Sequence, residues 1–423
     1  MDAQTILIAL IAILCANYTF DKVLEWLNLR RLDPVLPNEL LEFYDKQEYA
    51  RSQDYLRTRM RFSFLSSTLS FLLVLAVLIT GLLGEVDAWL RGYIEDPALL
   101  AIAFFGVLFL VLDIVGTPFS LYSTFVIEQR FGFNKTTFGT WFLDKLKGYL
   151  LGGLLGGGIL YLLVWLIGLM GEEFWLWFWL SVAVLLLAFQ FIYATLLLPL
   201  FNRLRPLESG DLRSAIEHYC DGVGFPLRNI MVMDGSRRST KANAFFSGFG
   251  PNKRIVLYDT LIQQLSQQEL VAVLAHEVGH YKRRHIEQGY VISLLNIGVL
   301  LFLLSRLIFE PALSTALGAE QSGIHLGLLA FAMLYAPVSQ LVDLLFNAWS
   351  RRNEYQADAF AASTYDGNAL GNALTKLHVK TLSNLRPHPA YVFTHFSHPT
   401  LLQRLAAIRL GGRGARAKNP SVE

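Results

Sequence analysis

The pentapeptide His276-Glu277-Val278-Gly279-His280 has the residue types and spacing to do chemistry. On a helix, positions i and i+4 share a face, so both imidazoles can reach one metal ion from one side. Glu277 sits beside them and can take a proton from water, the general-base role in a metal-assisted hydrolysis. A catalytic zinc site usually takes three protein ligands and leaves one position open. Glu354 in Asn353-Glu354-Tyr355-Gln356-Ala357-Asp358 would complete a set of two histidines and a glutamate. Asp358 lies one turn further on the same face, placed to accept the free ring N–H of a ligand histidine. An E-x-x-x-D pair is by itself common surface charge; behind an HExxH in a chain this poor in charge it is the leading candidate. His398 in Phe396-Ser397-His398-Pro399 could stabilise an oxyanion, or simply cap or pack, with Pro399 at the first position of a helix through Ile408. His285 follows Lys282, Arg283 and Arg284, reads as part of a basic cluster that meets lipid headgroups, and is left outside the site.

The elements that would position these residues are partly legible. Ser266-Gln267-Gln268-Glu269 is a capping box opening the HExxH helix. Residues 229–233, 254–258 and 242–246 look like strands, the last bounded by Gly248 and Gly250. An exposed edge strand there could bind a substrate backbone by strand addition, with Asn243 as a contact, or Asn243 could be an ordinary strand polar residue.

Most of the remaining chain belongs in a membrane. Hydrophobic residues make up 53% of its 423 residues and charged residues 17%, too little polar surface to cover a globule. A net charge of +2 gives no pull towards nucleic acid. Cys15 and Cys220 suit neither a disulfide framework nor a CxxC metal site. Seven spans are expected near residues 4–20, 63–84, 99–125, 148–170, 174–200, 289–309 and 323–346. The first reads as a retained span rather than a signal peptide, since no basic residue precedes it. Gly152, Gly153, Gly156, Gly157 and Gly158 either let helices approach closely or are tolerated in lipid. Lys and Arg concentrate in alternate loops, which puts the C-terminus and both large polar regions on the cytoplasmic side. The expected division is 1–200 with five spans, 201–288 carrying HExxH, 289–346 as a two-span hairpin, and 347–423 with the third ligand and a basic tail. The fold class is mainly α: a seven-helix polytopic membrane protein capped by an α+β metal domain.

Together these residues resemble the type I CAAX prenyl proteases, integral-membrane zinc metalloendopeptidases. Pro118 to Glu128 with Gly132-Phe133-Asn134-Lys135 is similar to that family's signature after its third span. Asn243 to Phe249 resembles its substrate strand, Lys253 to Leu261 the next strand and helix start, and Glu354, Asp358, Ser397-His398-Pro399 and Arg404 follow in order. The resemblance covers residues 20 to 410 and implies a helical barrel around a water-filled chamber. It implies one zinc ion on His276, His280 and Glu354, Glu277 as base and His398 at the oxyanion. Asn243, Ala244 and Arg404 would line the substrate site. The implied partners are membrane lipid and a peptide or protein substrate, possibly prenylated. The tail Asn419-Pro420-Ser421-Val422-Glu423 lacks a dilysine-type retrieval signal. The expected location is a bacterial inner membrane, or the endoplasmic reticulum membrane in a eukaryote. In a bacterium the substrate could instead be damaged membrane proteins. An intramembrane protease would need HExxH inside an apolar span, whereas Gln267, Glu269, Lys282, Arg283 and Arg284 flank it here. A transporter or chaperone with a structural zinc is the remaining alternative, though such sites are normally closed by four protein ligands.

Overall fold

A computed structural model describes residues 2–33, 35–38, 41, 44–247 and 253–418. Among the described residues, six helical stretches are long and apolar enough to cross a membrane: Ala3–Arg30, Lys46–Thr80, Pro97–Glu128, Phe138–Phe189, His285–Leu307 and Ile324–Thr364. The fourth, at 52 residues, is too long for one crossing. It reverses at Gly171 (φ +54°), through the single 3₁₀ turn Gly171–Glu173. Phe174 and Phe178 then return against Leu163, Leu166 and Ile167. Counted as two, it gives the seven spans expected. Only 6–22% of each apolar window is buried in protein, so most of these side chains face lipid or the interior space. A cavity of about 690 Å³ opens between the helices at Phe109, Asp113, Trp141 and Lys145.

The metal domain follows Phe201. Its sheet has four strands: β1 (Leu204–Pro206), β2 (Leu227–Met233), β3 (Ala244–Ser247) and β4 (Lys253–Tyr258), in the order β1-β2-β4-β3. β2 and β4 are parallel; the outer two strands are antiparallel to their neighbours. The strand expected over 242–246 begins at Ala244, because Asn243 turns its own side-chain oxygen onto the Ala244 N–H (2.9 Å). Gly248 and Gly250 lie outside the described residues.

Two helices carry the core of this domain. Gln267–Lys282 opens with the capping box: Ser266 Oγ accepts from the Glu269 N–H and Glu269 accepts from the Ser266 N–H. It buries Leu270, Val271, Leu274, Ala275 and Val278 against Ile255, Leu257, Ala361, Leu370 and Ala373. The second is the 41-residue helix Ile324–Thr364, about 60 Å long. The last span and the segment bearing Glu354 are therefore one rod, where the sequence suggested a span followed by a separate domain half.

Close backbone approach occurs at glycines other than those first suspected. A Cβ on Gly152, Gly153, Gly156, Gly157 or Gly158 would meet nothing within 4 Å, so tolerance in lipid is the reading that holds. A Cβ on Gly84 would lie 2.0 Å from the Gly318 carbonyl oxygen, where Leu82–Arg91 crosses the turn after Pro311–Ala316. Backbone cannot yield as a side chain can, so Gly84→Ala should cost at least about 1–3 kcal/mol. Thermal unfolding of the purified protein in detergent checks this: Gly84→Ala should melt lower, Gly158→Ala unchanged.

Candidate metal centre

His276 and His280 project from one face of Gln267–Lys282, and Glu354 meets them from Ile324–Thr364. The two helices are brought together at Gly279. A Cβ there would come within 3.0 Å of Ala357 Cα and 3.1 Å of its carbonyl oxygen. The Nε2 atoms of His276 and His280 lie 3.2 Å apart. Glu354 Oε1 is 3.3 Å from His280 Nε2, and Oε2 is 3.5 Å from His276 Nε2. Metal–ligand bonds of about 2.0–2.1 Å in a tetrahedral site require ligand atoms about 3.3 Å apart, and this cluster meets that requirement. Glu354 Oε2 is buried and has no hydrogen-bond partner, an orphaned acceptor that a cation would satisfy. Among the described residues this is the one group of three metal-ligating side chains that converges, with ligand atoms within 4.8 Å of one another.

Hydrogen bonds behind the cluster set the tautomers. His276 Nδ1 is 2.8 Å from Asp358 Oδ1, so Nδ1 carries the proton and Nε2 presents a bare lone pair. Asp358 also receives Arg404 bidentately, Nε at 2.9 Å and Nη2 at 2.6 Å. Arg404 Nη1 is 3.4 Å from Glu354 Oε2. Arg404 is buried, so its place is behind the ligands, bracing Asp358 and Glu354, as well as at the cavity wall. Burial alone would lower its pKa, but the Asp358 carboxylate outweighs that and raises it.

His280 has a support that sequence reasoning left out. His285 is buried, with Nδ1 3.0 Å from His280 Nδ1 and Nε2 3.0 Å from Gln356 Oε1. Gln356 accepts from His285 Nε2–H, His285 Nδ1 accepts from His280 Nδ1–H, and His280 Nε2 is left unprotonated. On an unbroken helix a five-residue step would turn His285 about 140° away from His280. Arg284 prevents this by adopting φ +57°, which ends one helix and restarts the next. No spacing rule reaches across that left-handed arginine.

His398 arrives from the C-terminal segment. Arg351 Nη1 donates to the carbonyls of Val392, Phe393 and Phe396 (3.3, 3.3 and 2.6 Å), capping the end of Pro389–His395. His398 Nε2 then lies 3.3 Å from Glu354 Oε1, on an open side of the cluster. Pro399 is not the first helical residue. The helix starts at Leu401, because Thr400 and Gln403 cap one another reciprocally (2.9 and 3.4 Å).

A cavity of about 560 Å³ holds His276, Glu277, His280, Glu354 and His398 together with Asn243 and Ala244. β3 is the sheet's edge strand and runs along it. Burial pushes the Glu277 carboxyl up; His276 and His280 pull it down and Glu354 adds to the rise, leaving it raised. A cation held by His276, His280 and Glu354 would lower it again and favour the carboxylate that a base requires.

A centre of this kind on a bundle of membrane helices defines the class: an integral-membrane metalloendopeptidase. Residues 25–203 match the family model described as CAAX prenyl protease N-terminal, five membrane helices, and residues 206–410 match Peptidase family M48. A CAAX prenyl protease 1 homolog of Arabidopsis thaliana is 36% identical over 404 residues, 92% of this chain and 94% of that one. CAAX prenyl protease 1 of Saccharomyces cerevisiae is 32% identical, covering 93% of each. The crystal structure of S. mikatae Ste24p superposes with a TM-score of 0.89 at 31% identity, over 95% of this chain and 98% of that chain. The chain belongs to the CAAX prenyl protease family within peptidase family M48.

Asp358→Asn keeps the size of the side chain but weakens its hold on the His276 N–H. Metal affinity should fall about 10–100-fold, and His285→Ala should act in the same direction through His280. Chelator competition followed by metal analysis measures both.

Proposed function

We propose that this chain is a zinc endopeptidase that removes C-terminal residues from prenylated CaaX-type proteins. The observation that carries the reading is that one cavity holds both the converging His276, His280 and Glu354 and the open edge of β3. Two imidazoles and a carboxylate suit zinc, one ion per chain. When bound, the ion supplies Lewis-acid polarisation of the scissile carbonyl and a more acidic water.

The chain's own residues do the rest in this proposal. The substrate backbone adds to the edge of β3 beside Asn243 and Ala244. Glu277 takes the water's proton and delivers it to the leaving amine. His398 donates to the oxyanion as it forms. Asp358, His285 and Arg404 hold the ligand side chains in place. Residues 201–288 and 347–423 act as two halves of one domain joined by the membrane hairpin 289–346. The alternation of Lys and Arg between loops supports a cytoplasmic face for this domain. The membrane would be the inner membrane of a bacterium or the endoplasmic reticulum membrane of a eukaryote.

Purified protein should contain one zinc and cleave a farnesylated CaaX peptide, with loss of activity in chelator. Glu277→Ala should keep the zinc and lose between about a hundred- and ten-thousand-fold in kcat. Full turnover by that variant, or cleavage indifferent to chelator, would sink the assignment.

A further inference from the structure

A second cavity, about 450 Å³, adjoins the metal centre; His398 lines both. Its wall includes Tyr55 and Arg59 from Lys46–Thr80. Two cations there share one carboxylate. Lys241 Nζ lies 3.0 Å from Glu128 Oε2 and Tyr55 donates to Glu128 Oε1 at 2.6 Å, so Glu128 is engaged at both oxygens. Arg59 Nε stays 3.9 Å from Glu128, and its Nη1 donates to Tyr55 Oη at 3.3 Å. Its side chain is 54% exposed. The other carboxylate on the wall, Glu25, is already paired with Lys22 at 2.5 Å. The cluster thus carries one surplus positive charge, on a guanidinium with most of its donors uncommitted.

Its place in the chain gives the charge a direction. Lys241 lies three residues ahead of Ala244, the first residue of β3. Antiparallel addition is the commoner strand pairing. A substrate added that way runs against β3, so residues beyond its scissile bond pass Asn243, Ala242 and then Lys241. A CaaX tail has three residues beyond its modified cysteine and ends in a free carboxylate. Extended, those three span about 10 Å, the same three-residue step that separates Ala244 from Lys241.

We infer that Arg59, held in the Tyr55–Glu128–Lys241 cluster, binds the α-carboxylate of the substrate and so favours tails that end about three residues beyond the scissile bond. This rests on the proposed function and adds a specificity determinant to it. Glu128 neutralises Lys241, leaving Arg59 to form the charge-assisted pair.

The test uses two farnesylated peptides of one sequence, one ending in a free carboxylate and one in a carboxamide. Wild-type protein should favour the acid by about tenfold or more in kcat/KM, chiefly through KM. Arg59→Ala should bring the acid-to-amide ratio close to one, Arg59→Lys should keep part of it, and Arg59→Glu should favour the amide. A wild-type ratio of one, with both peptides cleaved, overturns the inference and leaves the protease assignment standing. So does an Arg59→Ala variant slowed equally on both peptides with its ratio intact. Cleavage of neither peptide by zinc-loaded wild type overturns the proposed function and this inference together.

Discussion

At Gly279 the helix bearing His276 and His280 runs so close to Ala357 that a Cβ would meet backbone at 3.0 Å. That approach fixes the separation of Gln267–Lys282 from Ile324–Thr364, and with it the 3.3–3.5 Å approach of Glu354 to His280 and His276. Neither helix can supply a centre alone: one brings imidazoles, the other a carboxylate. Ala357 and Ala361, both buried, keep the facing surface flat, and Asp358 sits between them where it can reach back to His276. The packing contact and the ligand geometry are therefore a single constraint.

Drawing these helices together buries charge. Glu354, Asp358 and Arg404 are each at most 7% exposed, and an isolated charge at such a place would be strongly unfavourable. The arrangement is tolerable because Arg404 lies against both carboxylates, on the C-terminal helix that closes over the site. One cation faces two anions, however. The remaining negative charge has Glu354 Oε2 as its unsatisfied atom. A divalent ion held by His276, His280 and Glu354 would complete this balance.

Much of this was legible because it depends on local rules. The capping box places the HExxH helix, helical spacing places His276 with His280 and Glu354 with Asp358, and apolar length identifies the spans. What escaped depends on backbone states or long-range contacts that leave no periodic trace. His285 joins the site only because Arg284 adopts a left-handed conformation. β1, three residues ending in Pro206, is too short to alternate and exists because β2 offers it a partner. Pro399 suggested a helix start, but the reciprocal Thr400–Gln403 cap moved it two residues on. The glycine run at 152–158 left helix packing and tolerance in lipid equally open, whereas the closely packed glycines are Gly84, Gly279 and Gly318, which stand apart in sequence. Arg404 was legible as a member of a motif; that it braces Asp358 from a buried position was not.

The continuity of Ile324–Thr364 decides how the membrane and the metal centre are related. One helix of 41 residues both crosses the bilayer and carries Glu354, so the span and this candidate ligand share a single rigid element. Pro337 is the point within that rod where a backbone hydrogen bond is missing. The opposite end is anchored: His325 Nε2 lies 2.7 Å from Asp87 Oδ1, and Asp87 also receives Arg91 at 2.8 Å. A metal bound to the assembled centre but not to separated helices stabilises the assembled state by mass action. The same linkage means that membrane insertion of the hairpin and metal affinity share one free-energy balance. Glu354 therefore takes its position from the same rod that crosses the membrane.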